Sequence, residues 1–325
     1  MKIATNFSLP ADLGRGRNPL GTIAAANSER FESANLSQPL TDYAVGWLDS
    51  TDLLGHLGFL CPDITVARRF EFRAADNKGA FLSETDDERE VGGVFKKVEA
   101  RGELVREATR NKGLTIRVDR DETVLADDLT PIVNQLMRRV LMNDLRRAVI
   151  ALDAAATNAN KTWNPAAGTL VNPVADIRDM IRTGGDNAGI DPNRLAFGST
   201  AYDYFFSQVE AFDSNLRSIT GLGGLVDRLG IEAARKIDGR FAPKRTAANK
   251  TQAVSTKIYS FFGENGIGKD DPSNLKRFVS PTDAGSNVAV YVEEHPKFID
   301  ITVEHYSVIV ATSTLGVRSL TIANA

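Results

Sequence analysis

The chain has 325 residues, of which 42% are hydrophobic and 25% charged, and its formal net charge is −3. This composition is typical of a globular protein with a large core, and a chain of this length usually forms two or more lobes. The small net charge excludes an overall attraction to nucleic acid or anionic membrane. The single cysteine, Cys61, excludes an intrachain disulfide and indicates a reducing compartment. We find no apolar segment typical of a signal peptide or a membrane span, so we expect a soluble protein made in a cytoplasm.

The N-terminal segment, residues 1–62, is predicted to be an arm. Its first forty residues are rich in Asn, Ser, Gly, Ala and Pro, with scattered apolar residues. Such a segment cannot close a core of its own and is ordered only by partners. A short helical pattern between Tyr43 and Leu54, followed by a turn at Cys61 and Pro62, ties the arm to the globular body.

A strand-like alternation of apolar and polar residues follows over residues 64–118. It is interrupted by the polar, turn-rich stretch AADNKGAFLSETDDERE. The pattern predicts a long two-stranded excursion with a mobile tip. Because a hairpin with so little apolar material is not stable alone, it has to lean on another part of the protein.

The strongest pattern is DLTPIVNQLMRRVLMNDLRRAVIALDAAAT, residues 128–157. Asp128 or Thr130 can cap a helix there, and Pro131 suits its first turn. No Gly or Pro follows until Pro165, so the helix is about 40 Å long. Charged residues break every apolar window, which excludes a membrane span. The apolar residues recur at helical spacing and are expected to face the core: Ile132, Val133, Leu136, Met137, Val140, Leu141, Leu145, Val149 and Leu152.

Residues 166–295 alternate between helix and strand patterns, which predicts a compact α/β or α+β lobe. Asn172 caps a helix that begins at Pro173, and Ser199 begins another helix after the strand RLAFG. A short helix is predicted in GLGGLVDRLG, and strands in IEAARKID and KIYSFFG. Residues 296–325 contain two alternating runs, which we interpret as a strand pair that returns to the first lobe.

The stretch GENGIGKDD has some features of a phosphate-binding loop, because Gly263, Gly268 and Lys269 fit its first positions after a strand. The next positions oppose this interpretation, since Asp270 replaces the Ser or Thr that binds magnesium and an Asp-Pro pair follows. We predict a turn between strands. A nucleotide-dependent enzyme stays as one functional hypothesis. Calorimetry that shows no binding of ATP with magnesium would remove it.

No other group of residues forms a catalytic, cofactor-binding or metal-binding pattern. The carboxylates from Glu84 to Glu90 lack the alternate spacing and the glycine of a calcium loop. Cys61 has no obvious neighbour in the sequence that would lower its pKa. We therefore predict no enzyme activity, no cofactor and no metal. The three histidines lack a metal-ligand spacing and are predicted to be structural: His56, His295 and His305.

Four arginines of the long helix are the candidate contact to a polyanion. Arg138, Arg139, Arg146 and Arg147 lie two turns apart, so that one face could present positive charge to nucleic acid. Asp144 is the one carboxylate close to them. The alternative is a solvated face on which the aliphatic stems of the arginines lie along apolar surface and their charged groups reach water.

Assembled in order, these parts resemble the major capsid protein of tailed bacteriophages, the Hong Kong 97-type fold. The likeness covers nearly the whole chain. It is carried by GLTIRVDRDE running into LTPIVNQLMRRVLMNDLRRAVIAL, then by DPNRLAFGSTAYDYF, GKDDPSNLKRF and the closing strands. Each phrase is weakly specific alone, and their common order is what makes the resemblance.

The resemblance implies an α+β Hong Kong 97-type capsid fold. The function implied is a structural protein, not an enzyme, whose copies assemble as hexamers and pentamers into an icosahedral shell around double-stranded DNA. The domains implied are an N-terminal arm (1–62), an E-loop hairpin (63–112), a peripheral domain with the long spine helix (113–165), an axial α/β domain (166–295) and return strands to the peripheral domain (296–325).

Partners and location are further expectations from the resemblance. The chain would bind packaged DNA without sequence specificity and would not bind membranes, and scaffolding, portal or decoration proteins are further candidate partners. The location implied is the virion, assembled in the cytoplasm of a bacterial host. An encapsulin-like compartment shell with enzyme cargo is the alternative, which genomic neighbours would distinguish. Some relatives crosslink an E-loop lysine to an asparagine, but no motif assigns this role to Lys78, Asn287 or Asn324.

Overall fold

The computed structural model describes residues 35–47, 51–74, 89, 91–95, 103–121, 129–163, 171–212, 221–244, 246–264 and 272–323. Its helices are α1 (Gln38–Val45), α2 (Leu53–Leu60), α3 (Thr130–Ala155), α4 (Pro173–Ala188), α5 (Ser199–Phe212) and α6 (Leu222–Leu229). Its strands are β1 (Asp63–Thr65), β2 (Arg69–Ala74), β3 (Glu103–Ala108), β4 (Arg110–Asp119), β5 (Thr157–Thr162), β6 (Arg194–Gly198), β7 (Ala233–Ile237), β8 (Arg240–Phe241), β9 (Thr251–Gln252), β10 (Lys257–Phe261), β11 (Leu275–Ser280), β12 (Ala289–Glu294), β13 (Phe298–Ala311) and β14 (Arg318–Ala323).

The first five-stranded sheet is built around β13. Antiparallel to this strand run β4, β11 and β12, and β1 joins the far side of β11 in parallel. β12 pairs with residues 299–304 of β13, and β11 pairs with residues 306–311 further along the same edge. β4 pairs with residues 298–307 along the opposite edge. The central strand is therefore hydrogen-bonded along both edges.

The long helix α3 packs on this sheet and has 26 residues, or about 39 Å. All nine apolar residues predicted to face the core are buried, so the predicted stripe is confirmed. The prediction that Thr130 caps the helix is wrong, because Thr130 is the first residue of the helix itself. Leu129 occupies the capping position without a side-chain hydrogen bond, and Asp128 lies outside the described residues.

A second five-stranded sheet has the order β5-β14-β10-β6-β7. Helices α4 and α5 contribute to its core, in which Trp163, Phe197 and Phe205 are fully buried. The predicted helices and strands of this region are present, and the Asn172 side chain accepts hydrogen bonds from the backbone N–H groups of Val174 and Ala175. The predicted helix cap at Asn172 is thus confirmed.

The last two strands do not form the predicted pair. β13 belongs to the first sheet, whereas β14 runs parallel to β5 and antiparallel to β10 in the second. β11 and β12, which precede residue 296, also join the first sheet. An alternating sequence predicts a strand but not its partner. The domain boundaries themselves stay a prediction.

The two-stranded excursion begins as predicted, with β2 antiparallel to β3. It leans on the first sheet through aromatic rings, since the Phe70 and Phe72 ring centroids lie 4.4 Å and 5.5 Å from that of Phe278. Between these strands the structure describes Arg89 and residues 91–95. Of the described excursion, the most exposed apolar side chains are Val91, Val94 and Phe95.

The helical pattern predicted between Tyr43 and Leu54 is wrong as one helix, because two helices, α1 and α2, share it. Asp52 has a left-handed backbone (φ 47°), and its carboxylate accepts a hydrogen bond from the N–H of Gly55 at the start of α2. The residues of the predicted arm before Asn35 lie outside the described part of the chain. No helix that the structure describes is long and apolar enough to cross a membrane.

Candidate functional site

Asp144 lies at the centre of a buried charged cluster between α3 and the first sheet, with a side chain that is fully inaccessible. Helical spacing places it on the buried stripe of α3, among apolar neighbours. Side chains from α3 and three strands reach its two carboxylate oxygens: Lys112 Nζ (2.8 Å), Arg147 Nη1 (2.8 Å), His305 Nε2 (3.1 Å), Ser307 Oγ (3.1 Å) and Arg277 Nη2 (3.4 Å). The cluster therefore joins the helix to β4, β11 and β13.

The electrostatics of this cluster favour an ionised Asp144. Burial by itself would raise the pKa of Asp144, but the hydrogen bond and charge of His305, with the charges of Lys112 and Arg277, hold it well below its usual range. Burial lowers the pKa of Lys112, against the opposing pull of Asp144. Arg277 has a second carboxylate partner, with Nη1 2.8 Å from Asp63 Oδ2. The cluster is thus an ion network that joins α3 to the sheet beside the buried apolar stripe of the helix.

Cys61 lies beside this network and is not suited to nucleophilic chemistry. The residue is fully buried at the end of α2. Its burial raises the pKa of the thiol strongly, and the charge of Arg277 only partly offsets this. The thiol therefore stays protonated at neutral pH.

The structure divides the four predicted arginines between different surroundings. Arg138, Arg139 and Arg147 are exposed and Arg146 is half-buried. At about 100° per residue, Arg139 and Arg146 share the direction opposite the core, whereas Arg138 and Arg147 point about 180° apart. Arg147 belongs to the cluster around Asp144. The four do not form the single face that the sequence suggested.

Arg146 has an aromatic partner that the sequence did not indicate. Its guanidinium carbon lies 3.9 Å from the centre of the Phe241 ring, which belongs to the short strand β8. This distance is that of a cation–π contact. Arg139 makes no ion pair with any residue that the structure describes. The contact to Phe241 places a second element beside the exposed face of α3.

A second polar group comprises Glu293, His295 and Asp300, whose ligand atoms lie within 4.8 Å of one another. Both oxygens of Asp300 accept hydrogen bonds from Arg117, at 2.8 Å and 2.9 Å. His295 Nε2 lies 2.9 Å from Glu293 Oε1. A guanidinium thus already engages both oxygens of Asp300, and the group lies at the turn between β12 and β13.

The remaining sequence candidates are only partly described. Gly263 follows β10, and its N–H donates a hydrogen bond to the Asn193 side chain. Glu264 is also described, whereas residues 265–271 of the apparent phosphate-binding loop lie outside the described residues, as do the carboxylates 84–88 and Glu90. His56 is described and buried in α2, where its pKa is lowered by burial and by the charge of Arg235.

Comparison with known proteins gives matches by structure alone. No protein-family model matches the chain, and no curated protein matches it by sequence. A crystal structure of a phage-related protein from Bordetella bronchiseptica RB50 matches with a TM-score of 0.65 and 17% identity, over 88% of this chain and 96% of that one. The two chains share one fold.

Other solved structures match less closely. A virus-like particle protein from Pyrococcus furiosus has a TM-score of 0.49 at 10% identity, over 89% of this chain and 98% of that one. The capsid of the cyanophage P-SCSP1u gives 0.47 at 13% identity, over 82% of this chain and 87% of that one. The structure of this chain has the α+β class that the resemblance predicted, and its two-stranded excursion, long helix and α/β region follow one another in the predicted order.

Proposed function

We propose that the chain is the major capsid protein of a tailed bacteriophage, a structural subunit whose copies form an icosahedral shell around double-stranded DNA. The observation that carries the proposal is the fold itself, which this chain shares over nearly its whole length with a phage-related protein. The proposed location is the virion, assembled in the cytoplasm of the bacterial host. The proposed activity is assembly rather than catalysis.

The excursion supports the proposal, because it exposes apolar side chains that need a partner. Val94 and Phe95 are 89% and 66% exposed, and Val91 is fully exposed. Exposed apolar side chains that lie close together are typical of protein contact sites. In a shell of identical copies, this segment would lie on the neighbouring subunit and lose that exposure.

The charged groups of the described residues also suit a subunit better than an enzyme. Asp144, at the centre of the ionisable cluster, has no access to solvent, whereas its partners Lys112, Arg147 and His305 line a cavity of about 250 Å³. A catalytic site needs its reactive groups in a cleft that a substrate can enter. Here the central carboxylate is closed to a substrate, and its ion pairs join elements of one subunit.

Electron microscopy of the purified full-length chain tests the proposal. We expect closed shells of tens of nanometres in negative stain, from the chain alone or from co-expression with its neighbouring reading frames. A single species of one or two chains by light scattering in both preparations would contradict it. The contents separate the two kinds of shell, since a phage head is expected to package DNA and a compartment to hold an enzyme.

A charge placed on the excursion tests the predicted subunit contact. Because Val94 and Phe95 have little burial to lose, the double variant Val94→Asp/Phe95→Asp should keep the melting temperature of the unassembled chain within a few degrees. It should reduce the yield of shells at least tenfold. The control is Glu103→Gln, which changes an exposed polar residue of β3 and should leave the yield unchanged. Equal yields for both would show that residues 91–95 are not a contact.

A further inference from the structure

A short hairpin of β8 and β9 lies beside α3, near Leu145 and Arg146. Phe241 of β8 stacks on Arg146, as described above. A side chain at Gly239 would come within 2.6 Å of a methyl group of Leu145, so the chain passes close to the helix there. An open groove of about 500 Å³ separates residues 252–257 from Val149 and Ile150 further along α3. The hairpin is therefore positioned by α3.

This hairpin has an unusual charge pattern. The sequence from residue 239 to residue 263 contains five Lys and Arg residues and no Asp or Glu. Lys257 is paired with Asp153 of α3. Lys244 and Lys250 are exposed in the connection between β8 and β9, and neither has an ion pair with a described residue. The connection thus carries positive charge that the described part of the protein does not neutralise.

The face of α3 next to this hairpin also carries positive charge that no free carboxylate on the helix offsets. Arg139 and Arg146 lie seven residues apart, which is about 10 Å along the helix. The helix contains two carboxylates, of which Asp144 is buried and Asp153 is bonded to Lys257 and Tyr259. The two arginines therefore add to the charge of the hairpin connection without a nearby free carboxylate on α3.

We propose that Arg139, Arg146, Lys244 and Lys250 form one basic surface that binds the backbone of double-stranded DNA without reading its sequence. Phosphate contacts by Lys and Arg supply affinity but little sequence preference. Phe241, the aromatic ring beside these residues, is covered by Arg146 and offers no platform for an unpaired base. The choice of DNA among polyanions rests on the proposed function, whereas the surface itself rests on the geometry.

Two further arginines are excluded from this surface. Arg147 is held in the cluster around Asp144. Arg240 neighbours Phe241 on β8, and successive side chains of a strand point to opposite faces, so Arg240 points away from the contact with α3. It is paired across the hairpin with Gln252. Arg240 is thus a matched control within the same hairpin.

DNA binding by the full-length, unassembled chain tests the inference. The quadruple variant Arg139→Gln/Arg146→Gln/Lys244→Gln/Lys250→Gln should bind a labelled 30-base-pair duplex at least tenfold more weakly in fluorescence anisotropy at about 100 mM NaCl. The slope of log K against log salt should become shallower by about 3 to 4, since each phosphate contact contributes about 0.9. Two duplexes of unrelated sequence should show the same change.

Three controls decide between a local surface and net charge. A second quadruple variant changes the net charge by the same amount as the first and should alter the affinity for DNA less than threefold. It replaces four exposed cations elsewhere on the chain: Arg69→Gln, Arg110→Gln, Arg228→Gln and Lys297→Gln. Arg240→Gln should also alter it less than threefold. The pair Lys244→Gln/Lys250→Gln affects only the connection, so it tests the surface without disturbing α3 and should give about half of the full change in slope.

Equal weakening by the two quadruple variants, or no weakening by either, would overturn the inference. A larger effect of Arg240→Gln than of the Lys244 and Lys250 pair would also overturn it, because the opposite face would then bind. The choice of DNA rests on the proposed function, but the two can fail separately. If the wild-type chain forms shells and the quadruple variant binds DNA as tightly as the wild type, the surface alone is rejected. If the wild-type chain forms no shells but the quadruple variant loses much of its DNA affinity, the capsid role alone is rejected.

Discussion

Arg146 and Arg147 are adjacent in the sequence, yet they belong to different parts of the molecule. Arg147 turns toward the first sheet and pairs with the buried Asp144, whereas Arg146 turns outward onto Phe241. One residue type therefore serves internal packing at one position and surface charge at the next. The direction of the side chain around α3, rather than the charge itself, decides the role.

The largest expected effect comes from removing the centre of the buried cluster. Asp144→Asn leaves Lys112 and Arg277 buried without their shared carboxylate. Breaking a buried ion pair in this way typically costs about 3–5 kcal/mol. We expect a loss in that range in urea unfolding of the unassembled chain at pH 7, followed by tryptophan fluorescence.

The matched control for Asp144→Asn is Asp153→Asn on the outward side of the same helix. Asp153 is 44% exposed, so its pair with Lys257 is screened by water and its loss should cost less than about 1 kcal/mol. Similar losses for the two variants would remove the distinction between the buried and the outward face of α3.

Acidification should reduce stability in two stages. Because the folded-state pKa of His56 lies below its ordinary 6.5, the unfolded chain takes up the proton first, and stability falls as the pH drops below 6.5. Burial and Arg235 lower this pKa, against the opposing charges of Asp52 and Asp238. His56→Gln should remove this first stage from the pH dependence of the urea midpoint.

The second stage belongs partly to Asp144. Its folded-state pKa is held well below the ordinary 3.8, so its contribution is complete above that pH and is lost as the pH falls further. The difference in unfolding free energy between the wild type and Asp144→Asn should therefore shrink below about pH 4. A difference that stays constant to pH 2 would contradict an ionised Asp144 in the fold.

The smallest effect comes from the arginines themselves. Arg147→Gln should lower the free energy of unfolding by about 1 kcal/mol, because Arg147 is half exposed and Asp144 keeps its other partners. Arg139→Gln should change it by less than about 0.5 kcal/mol, as is usual for exposed residues without packing contacts. Urea unfolding of both variants checks this, and an equal loss would contradict the division of the helix into two faces.

The sequence was informative wherever local periodicity determines structure. The stripe of α3 follows from helical spacing, and the cap at Asn172 from the hydrogen-bonding chemistry of its own turn. Such features depend on neighbours within a few residues. They could therefore be predicted without knowledge of the rest of the fold.

The candidate sites could not be predicted in the same way, since they join residues far apart in the chain. Asp144 is 161 positions from His305. The one signal for the cluster was a carboxylate on an otherwise apolar stripe, which we interpreted as a neighbour of the arginines. The contact between Arg146 and Phe241 likewise has no local signature. Strand pairing is equally non-local, which is why the partners of β14 were predicted wrongly.

β13 is hydrogen-bonded along both of its edges, which affects how the first sheet responds to force. Its hydrogen bonds to β4 lie across one edge and those to β12 and β11 across the other, and antiparallel hydrogen bonds run perpendicular to the strand. Tension along this strand therefore loads many bonds at once in shear, instead of opening them one after another from a free end. In the proposed shell, the first sheet would resist stretching far better than peeling.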